Sequence, residues 1–204
     1  MEYIIEKVLL DSKNHEAGVV CSGASFRITQ ADFEHLGIFE GETLDEEAFA
    51  QLCEADSKLS CIKKAFSYLS YSDMPAKKLA DKLRAKFEKH IVDAVIELLK
   101  ARGYLNDSLL ARKYAQNFYE IKRWGPNRIK SELYAKGFAK EDIDASCAFM
   151  EELDHREKMR ALVVEKFGGD AEAVRGQKQK VSAYLYRMGY SYSDITDVLI
   201  SLEN

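Results

Sequence analysis

One pattern recurs at a fixed distance along this 204-residue chain, and it limits the folds open to it. Ile129, Leu133, Gly137, Phe138, Asp142 and Ile143 are each matched 52 residues later by Val181, Leu185, Gly189, Tyr190, Asp194 and Ile195. Apolar residues four apart mark one face of a helix. The glycine is where such a helix stops, and an aromatic residue then leads into the next helix. A weaker copy without the glycine runs through Leu79, Leu83, Phe87 and Ile91, about 50 residues earlier. Units this short cannot bury an apolar face alone. Three of them are therefore expected to stack into an elongated, curved array.

The first 30 or so residues read differently. Residues 3–10 are β-branched and aromatic enough for a strand, and Ser22-Gly23 separates two further short apolar runs as a hairpin turn would. Thr29 to Leu36 then reads as a short helix ended by Gly37. Thr43 and Glu46 have the spacing of a capping box at the next helix start. From about residue 46 the apolar positions keep helical spacing. Asn106 or Asp107 is placed to cap one helix, Gly125-Pro126 to open another, and Gly168-Gly169 and Gly176 to mark breaks. With only two prolines in the chain, a turn-rich β-sandwich or barrel is disfavoured. The expected fold is mainly α, with a small β-rich N-terminal leader.

Residues that carry chemistry are sparse. Cys21, Cys53, Cys61 and Cys147 form no C-x-x-C pair and sit among apolar neighbours, as reduced core thiols of a cytoplasmic protein do. His15, His35, His90 and His155 fall into no metal-binding spacing, so they are expected to be exposed or locally bonded. Phosphate-binding glycine loops and a nucleophile elbow are absent. Adjacent acids such as Glu46-Glu47 and Glu151-Glu152 point about 100° apart on a helix and do not converge on one substrate. No metal or other cofactor, no enzyme activity, no signal peptide and no membrane span is expected.

The charge distribution is the strongest functional clue. Residues 1–57 hold 3 basic and 13 acidic side chains, residues 58–140 hold 19 and 8, and residues 141–204 hold 8 and 13. A chain of net charge −4 thus carries a cationic centre of +11 between acidic ends. Lys78, Lys82, Lys86 and Lys89 fall within a stripe of roughly 80° if one helix carries them all. A second cluster, Lys122-Arg123-Trp124 and Arg128-Ile129-Lys130, contains the single tryptophan. Trp124 can stack a base or pack on the neighbouring repeat, and packing is the expectation. Clusters in successive repeats can line one groove that faces phosphates.

Several segments together resemble the RecX family, bacterial modulators of the RecA recombinase. They are Gly41-Glu42-Thr43-Leu44-Asp45-Glu46-Glu47, Ala65-Phe66-Ser67-Tyr68-Leu69 and Gly103-Tyr104-Leu105-Asn106-Asp107. Gly125-Pro126-Asn127-Arg128-Ile129, Glu132-Leu133-Tyr134-Ala135-Lys136-Gly137 and Arg187-Met188-Gly189-Tyr190-Ser191 complete the set. The likeness spans roughly 40–200, and Met188, directly before Gly189, departs from the basic residue typical there. It implies three tandem three-helix repeats, here 58–107, 108–153 and 154–204, after an acidic region 1–57 that is expected to act as a folded cap. It also implies a monomer that binds in the groove of the RecA–single-stranded DNA filament and limits filament growth, ATP hydrolysis, strand exchange and co-protease activity. Charge mapping, not a family motif, makes Lys78, Lys82, Lys86, Lys89, Lys122, Arg123, Arg128, Lys130 and Lys136 the candidate surface for RecA or DNA. A helical-repeat adaptor for protein alone and a DNA-binding module unrelated to RecA stay open as alternatives.

Overall fold

A computed structural model describes residues 2–151, 153–168 and 171–203. Glu152 and Gly169, named above, lie outside the described residues. The chain divides into two units, residues 1–105 and 106–204.

The first unit begins with β1 (Tyr3–Asp11), β2 (Glu16–Cys21), β3 (Ala24–Thr29), α1 (Gln30–Leu36) and β4 (Thr43–Leu44). The strands form an antiparallel sheet in the order β3-β2-β1-β4. Ser22 (φ 47°) and Gly23 (φ 78°) supply the two left-handed residues that a tight hairpin between β2 and β3 needs. One face of the sheet buries Ile5, Ala17, Val19, Cys21 and Ile28 against Leu52 and Ala55 of α2 (Glu46–Leu69). At about 1.5 Å per residue α2 is about 36 Å long. Its first half therefore roofs the sheet, while Cys61 and Ala65 of its second half enter a separate core. That core is completed by α3 (Ala76–Arg84) and α4 (Lys89–Ala101), through Leu79, Leu83, Val92, Val95 and Leu99.

Three details differ from the sequence reading. The cap of α2 is Asp45, whose side chain accepts from Ala48 N–H, because Thr43 is engaged in β4 opposite Ile4. Helix α3 ends at Arg84 after nine residues, so Lys78 and Lys82 share a helix while Lys86 lies in the following turn and Lys89 opens α4. The turn lets Leu83 and Ile91 enter one core from separate helices. Cys53 is also only half-buried, unlike the other three cysteines. All four thiols are free, and burial pushes Cys61 up to about 11.

The second unit holds α5 (Asp107–Glu120), α6 (Pro126–Lys136) and α7 (Lys140–Cys147) around one core, with a 3-10 turn at Ala148–Met150. A second core joins α8 (Arg156–Phe167), α9 (Ala171–Gly176), α10 (Lys178–Met188) and α11 (Tyr192–Glu203). The repeated junction is the same object twice. Gly137 (φ 96°) ends α6 and Gly189 (φ 95°) ends α10. Phe138 N–H reaches back to Leu133 O, and Tyr190 N–H to Leu185 O. Four of the six matched positions, Ile129, Leu133, Phe138 and Ile143 in one copy and Val181, Leu185, Tyr190 and Ile195 in the other, are buried at equivalent places.

The two copies of the glycine differ in what meets them. A side chain at Gly137 would enter open space, whereas one at Gly189 would strike Arg128 Cβ at 2.3 Å and Arg128 N at 2.5 Å. The start of α6 lies directly on the Gly189 turn. Gly125 N–H donates to Met188 O at 2.7 Å and Asn127 N–H to Gly189 O at 3.1 Å. A helix start leaves N–H groups unpaired and a helix end leaves carbonyls unpaired. Here each end satisfies the other, and Pro126 between the two donors needs no partner. Gly125 must be glycine too, since a Cβ there would sit 2.4 Å from Gly189 C and O.

Gly137→Ala should cost only the strain of a left-handed alanine, about 1–2 kcal/mol. Gly189→Ala adds a backbone collision and should cost on the order of 4 kcal/mol or more. Urea denaturation of the two variants checks this, and equal losses would contradict the docking.

Candidate cationic interface

The segment between α5 and α6 is held at several points before it reaches Gly125. Ile121 N–H donates to Asn117 O, and Trp124 N–H turns back to Phe118 O at 3.0 Å. Arg123 lies in the left-handed region (φ 52°), its carbonyl accepts from Tyr190 OH at 3.0 Å, and its guanidinium meets Glu165 at 2.8 Å. These bonds place Lys122, Trp124 and Arg128 around one aromatic ridge.

The ridge starts on α5. Tyr114 and Phe118, four apart on one helix face, lie 5.8 Å between ring centroids, and Trp124 packs on Phe118 at 4.8 Å. Trp124 therefore packs on the core of its own three helices rather than on the neighbouring repeat. Three cations lie over the ridge. Arg128 Cζ is 4.0 Å from the Trp124 centroid, and Lys122 Nζ is 4.5 Å from Trp124 and 4.9 Å from Phe118. Lys136 Nζ is 5.0 Å from Tyr114. Ring faces attract these cations and restrict their long side chains, while their outward N–H groups still face solvent. Among the described residues Lys122 has no ion pair, Arg128 donates to Arg187 O at 3.2 Å, and Lys136 meets Glu132 at 3.8 Å.

Two sequence-predicted cations of this unit do not join the ridge. Arg123 is tied to Glu165, and Lys130 reaches Asp144 at 3.9 Å and Glu151 at 3.7 Å. In the first unit Lys78, Lys86 and Lys89 are exposed and without ion pairs among the described residues, and Lys82 Nζ is 5.0 Å from the Tyr68 ring. Lys64, which the sequence reading passed over, lies 4.9 Å from the same ring. The four-residue spacing of Lys64 and Tyr68 on α2 was the available signal. Each unit thus has its own cluster of cations on aromatic rings. Among the described residues no group of three or more His, Cys, Asp or Glu side chains is placed to hold a metal ion, and no helix is long and apolar enough to cross a membrane.

Comparison with known proteins fits this architecture. The family model for the second three-helix domain of RecX matches residues 106–146, which begin at the cap of α5 and run through most of α7. A regulatory protein RecX of Clostridium acetobutylicum is 30% identical over 169 residues, covering 80% of this chain and 78% of its own length. The chain belongs to the RecX family. The RecX protein of Clostridioides difficile is 29% identical over 170 residues, 81% of this chain and 78% of that protein. That of Finegoldia magna is 27% identical over 197 residues, 93% and 95% of the two. A crystal structure of regulatory protein RecX shares the fold, with TM-score 0.77 at 20% identity over 98% of this chain and 99% of that one. The crystal structure of RecX from Lactobacillus salivarius gives 0.63 at 27% identity over 73% and 98%.

In this member of the RecX family the Gly103-to-Asp107 segment has a physical meaning. Gly103 (φ 75°) takes the left-handed turn, Tyr104 meets Phe66 edge-on at 4.9 Å, Leu105 is buried, and Asn106 accepts from Leu109 N–H to cap α5.

Behind the ridge two tyrosines are sealed in. Burial pushes both Tyr119 and Tyr190 above the ordinary tyrosine value, with neighbouring acids adding to the effect at Tyr119. Tyr119 OH meets His155 Nδ1 at 3.1 Å, and Lys158 Nζ sits 3.4 Å from the Tyr119 ring centroid. An acid group with a raised folded value stabilises the fold fully below its unfolded value, and loses that contribution as pH rises through the folded one. The second unit should therefore lose stability from about pH 10 upward. Tyr190→Phe should cost about 1 kcal/mol at neutral pH and flatten the alkaline loss. Ultraviolet titration of tyrosinate alongside melting curves measures both. An alkaline loss unchanged in Tyr190→Phe would contradict this placement.

Proposed function

We propose that this chain is a monomeric cytoplasmic regulator of RecA, mainly negative, that binds in the groove of the RecA–single-stranded DNA filament and limits filament growth. ATP hydrolysis, strand exchange and co-protease activity then fall together, because all three need the filament. The reading takes residues 1–57 as a cap and 58–107, 108–153 and 154–204 as the repeats. It involves no catalytic step, metal or cofactor.

The observation that carries the reading is the pairing of cations with aromatic rings in a member of the RecX family: Lys122, Arg128 and Lys136 on Trp124, Phe118 and Tyr114, and Lys64 and Lys82 on Tyr68. A filament groove presents DNA phosphates and acidic protein surface. Cations whose rotamers are already restricted pay less entropy to meet them. Lys78, Lys86 and Lys89 add charge that no carboxylate of the described residues neutralises.

The test is single-stranded-DNA-dependent ATP hydrolysis by RecA from the same organism, with this protein titrated in. Inhibition is expected below the amount needed to coat the DNA. Reversing Lys78, Lys86, Lys89 and Lys122 to Glu together should abolish it with helicity intact, since none of the four holds an ion pair among the described residues. Full inhibition by that variant would refute the surface. No inhibition by the native chain, with salt-sensitive DNA binding retained, would leave a nucleic-acid-binding protein not directed at RecA.

A further inference from the structure

The outer edge of β1 is covered for only part of its length. β4 pairs with Tyr3 and Ile4, and the chain before it extends the cover by one residue, through Ile5 N–H to Glu42 O and Gly41 N–H to Ile5 O, both 2.8 Å. Past Ile5 no strand among the described residues lies on that side. Val8 N–H faces out from the sheet, and a side chain meets it: Glu40 Oε1, at 2.7 Å. Backbone groups alternate sides along an antiparallel strand. Leu10, two residues on, therefore turns its N–H and C=O to the same open edge.

Folded proteins usually blunt such an edge. This one is flanked by wet apolar side chains. Leu9 is 57% exposed, Leu10 62%, and Phe39, in the loop that carries Glu40, 70%. The flank is also acidic, with Glu6, Asp11, Glu40 and Glu42 against Lys7, in a region of 13 acidic and 3 basic side chains. A second copy of this chain would bring the same carboxylates to an edge-to-edge pair, and like charge opposes that pairing.

We propose that the open edge of β1 is a docking strand for an extended segment of a partner protein in which cationic and apolar residues alternate. The segment adds a strand along residues 8–11. Its carbonyl takes the Val8 N–H from Glu40, and the freed carboxylate pairs with an incoming Lys or Arg. Its apolar side chains all fall on one face of the sheet and cover Leu10 beside Val8, while its cations fall on the opposite face with Leu9 and Asp11. Glu40 holds the place of the missing strand until it arrives. This surface is separate from the cation-bearing rings and does not depend on the function proposed above.

The full chain can be tested with a ten-residue amidated peptide of alternating Lys and Val, against its Glu-Val counterpart. The Lys peptide should bind and slow hydrogen exchange at the Leu10 amide. The Glu peptide should do neither. Glu40→Gln keeps an acceptor for Val8 but loses the charge, and should weaken binding about two- to fivefold at low salt, the size of one exposed ion pair. Leu10→Pro, which removes the outward N–H, should abolish binding. If that variant fails to fold, Glu40→Gln still decides. No binding, equal binding of both peptides, or binding without slower exchange at Leu10 would overturn the proposal. So would a concentration-dependent dimer that protects Leu10, which would make a second copy the occupant.

Discussion

The meeting of two backbones at Gly125 and Gly189 is the constraint on which the second unit depends. A helix start carries unpaired donors and partial positive charge, and a helix end carries unpaired acceptors and partial negative charge. Setting the start of α6 on the end of α10 settles both deficits with two hydrogen bonds. The approach is possible only because neither contact residue has a side chain. Packing alone would tolerate many substitutions at these positions. A backbone-to-backbone contact does not, so geometry rather than hydrophobicity fixes how the two helical cores of this unit join.

The same contact organises the cationic surface. The segment from Lys122 to Arg128 is pinned at Gly125, at the Arg123 carbonyl and at Trp124 N–H. Its cations can then rest on Trp124 and Phe118 instead of sampling solvent. Long cationic side chains usually lose much rotamer freedom on binding. Resting on a ring removes part of that cost beforehand while leaving the charge outward. The acidic N-terminal region works differently. Glu16 holds Lys63 at 2.7 Å and Asp32 holds Lys58 at 3.4 Å, so some of its carboxylates neutralise the adjoining part of α2, while Lys78 of α3 has no ion pair among the described residues.

Much of this was legible in the sequence, and the reason is locality. The repeated junction could be read because a left-handed helix stop is a one-residue requirement that glycine meets. The hairpin at Ser22-Gly23, the stop at Gly37 and the cap at Asn106 were legible for the same reason. What failed was competition between signals. Thr43 and Glu46 have capping-box spacing, but the sheet claims Thr43 and Asp45 takes the cap. The lysine stripe looked continuous because periodicity does not register the turn after Arg84. The ring contact of Lys82 with Tyr68, and the Gly125–Gly189 approach itself, join residues across helices. No spacing rule records them. Charge mapping found the cations but not which were already paired, and Arg123 and Lys130 turned out to be held by carboxylates.

The central claim is that the cations set on the Tyr114–Phe118–Trp124 ridge meet phosphates. It is tested most directly by the salt dependence of single-stranded DNA binding, for the native chain and for a Lys122→Gln, Lys136→Gln double variant. Each phosphate contact on a single strand contributes about 0.7 to the slope of log affinity against log salt. The variant should therefore show a slope shallower by roughly 1.4, with an unchanged fold. A slope equal to that of the native chain would mean that these cations serve the fold and do not touch the DNA.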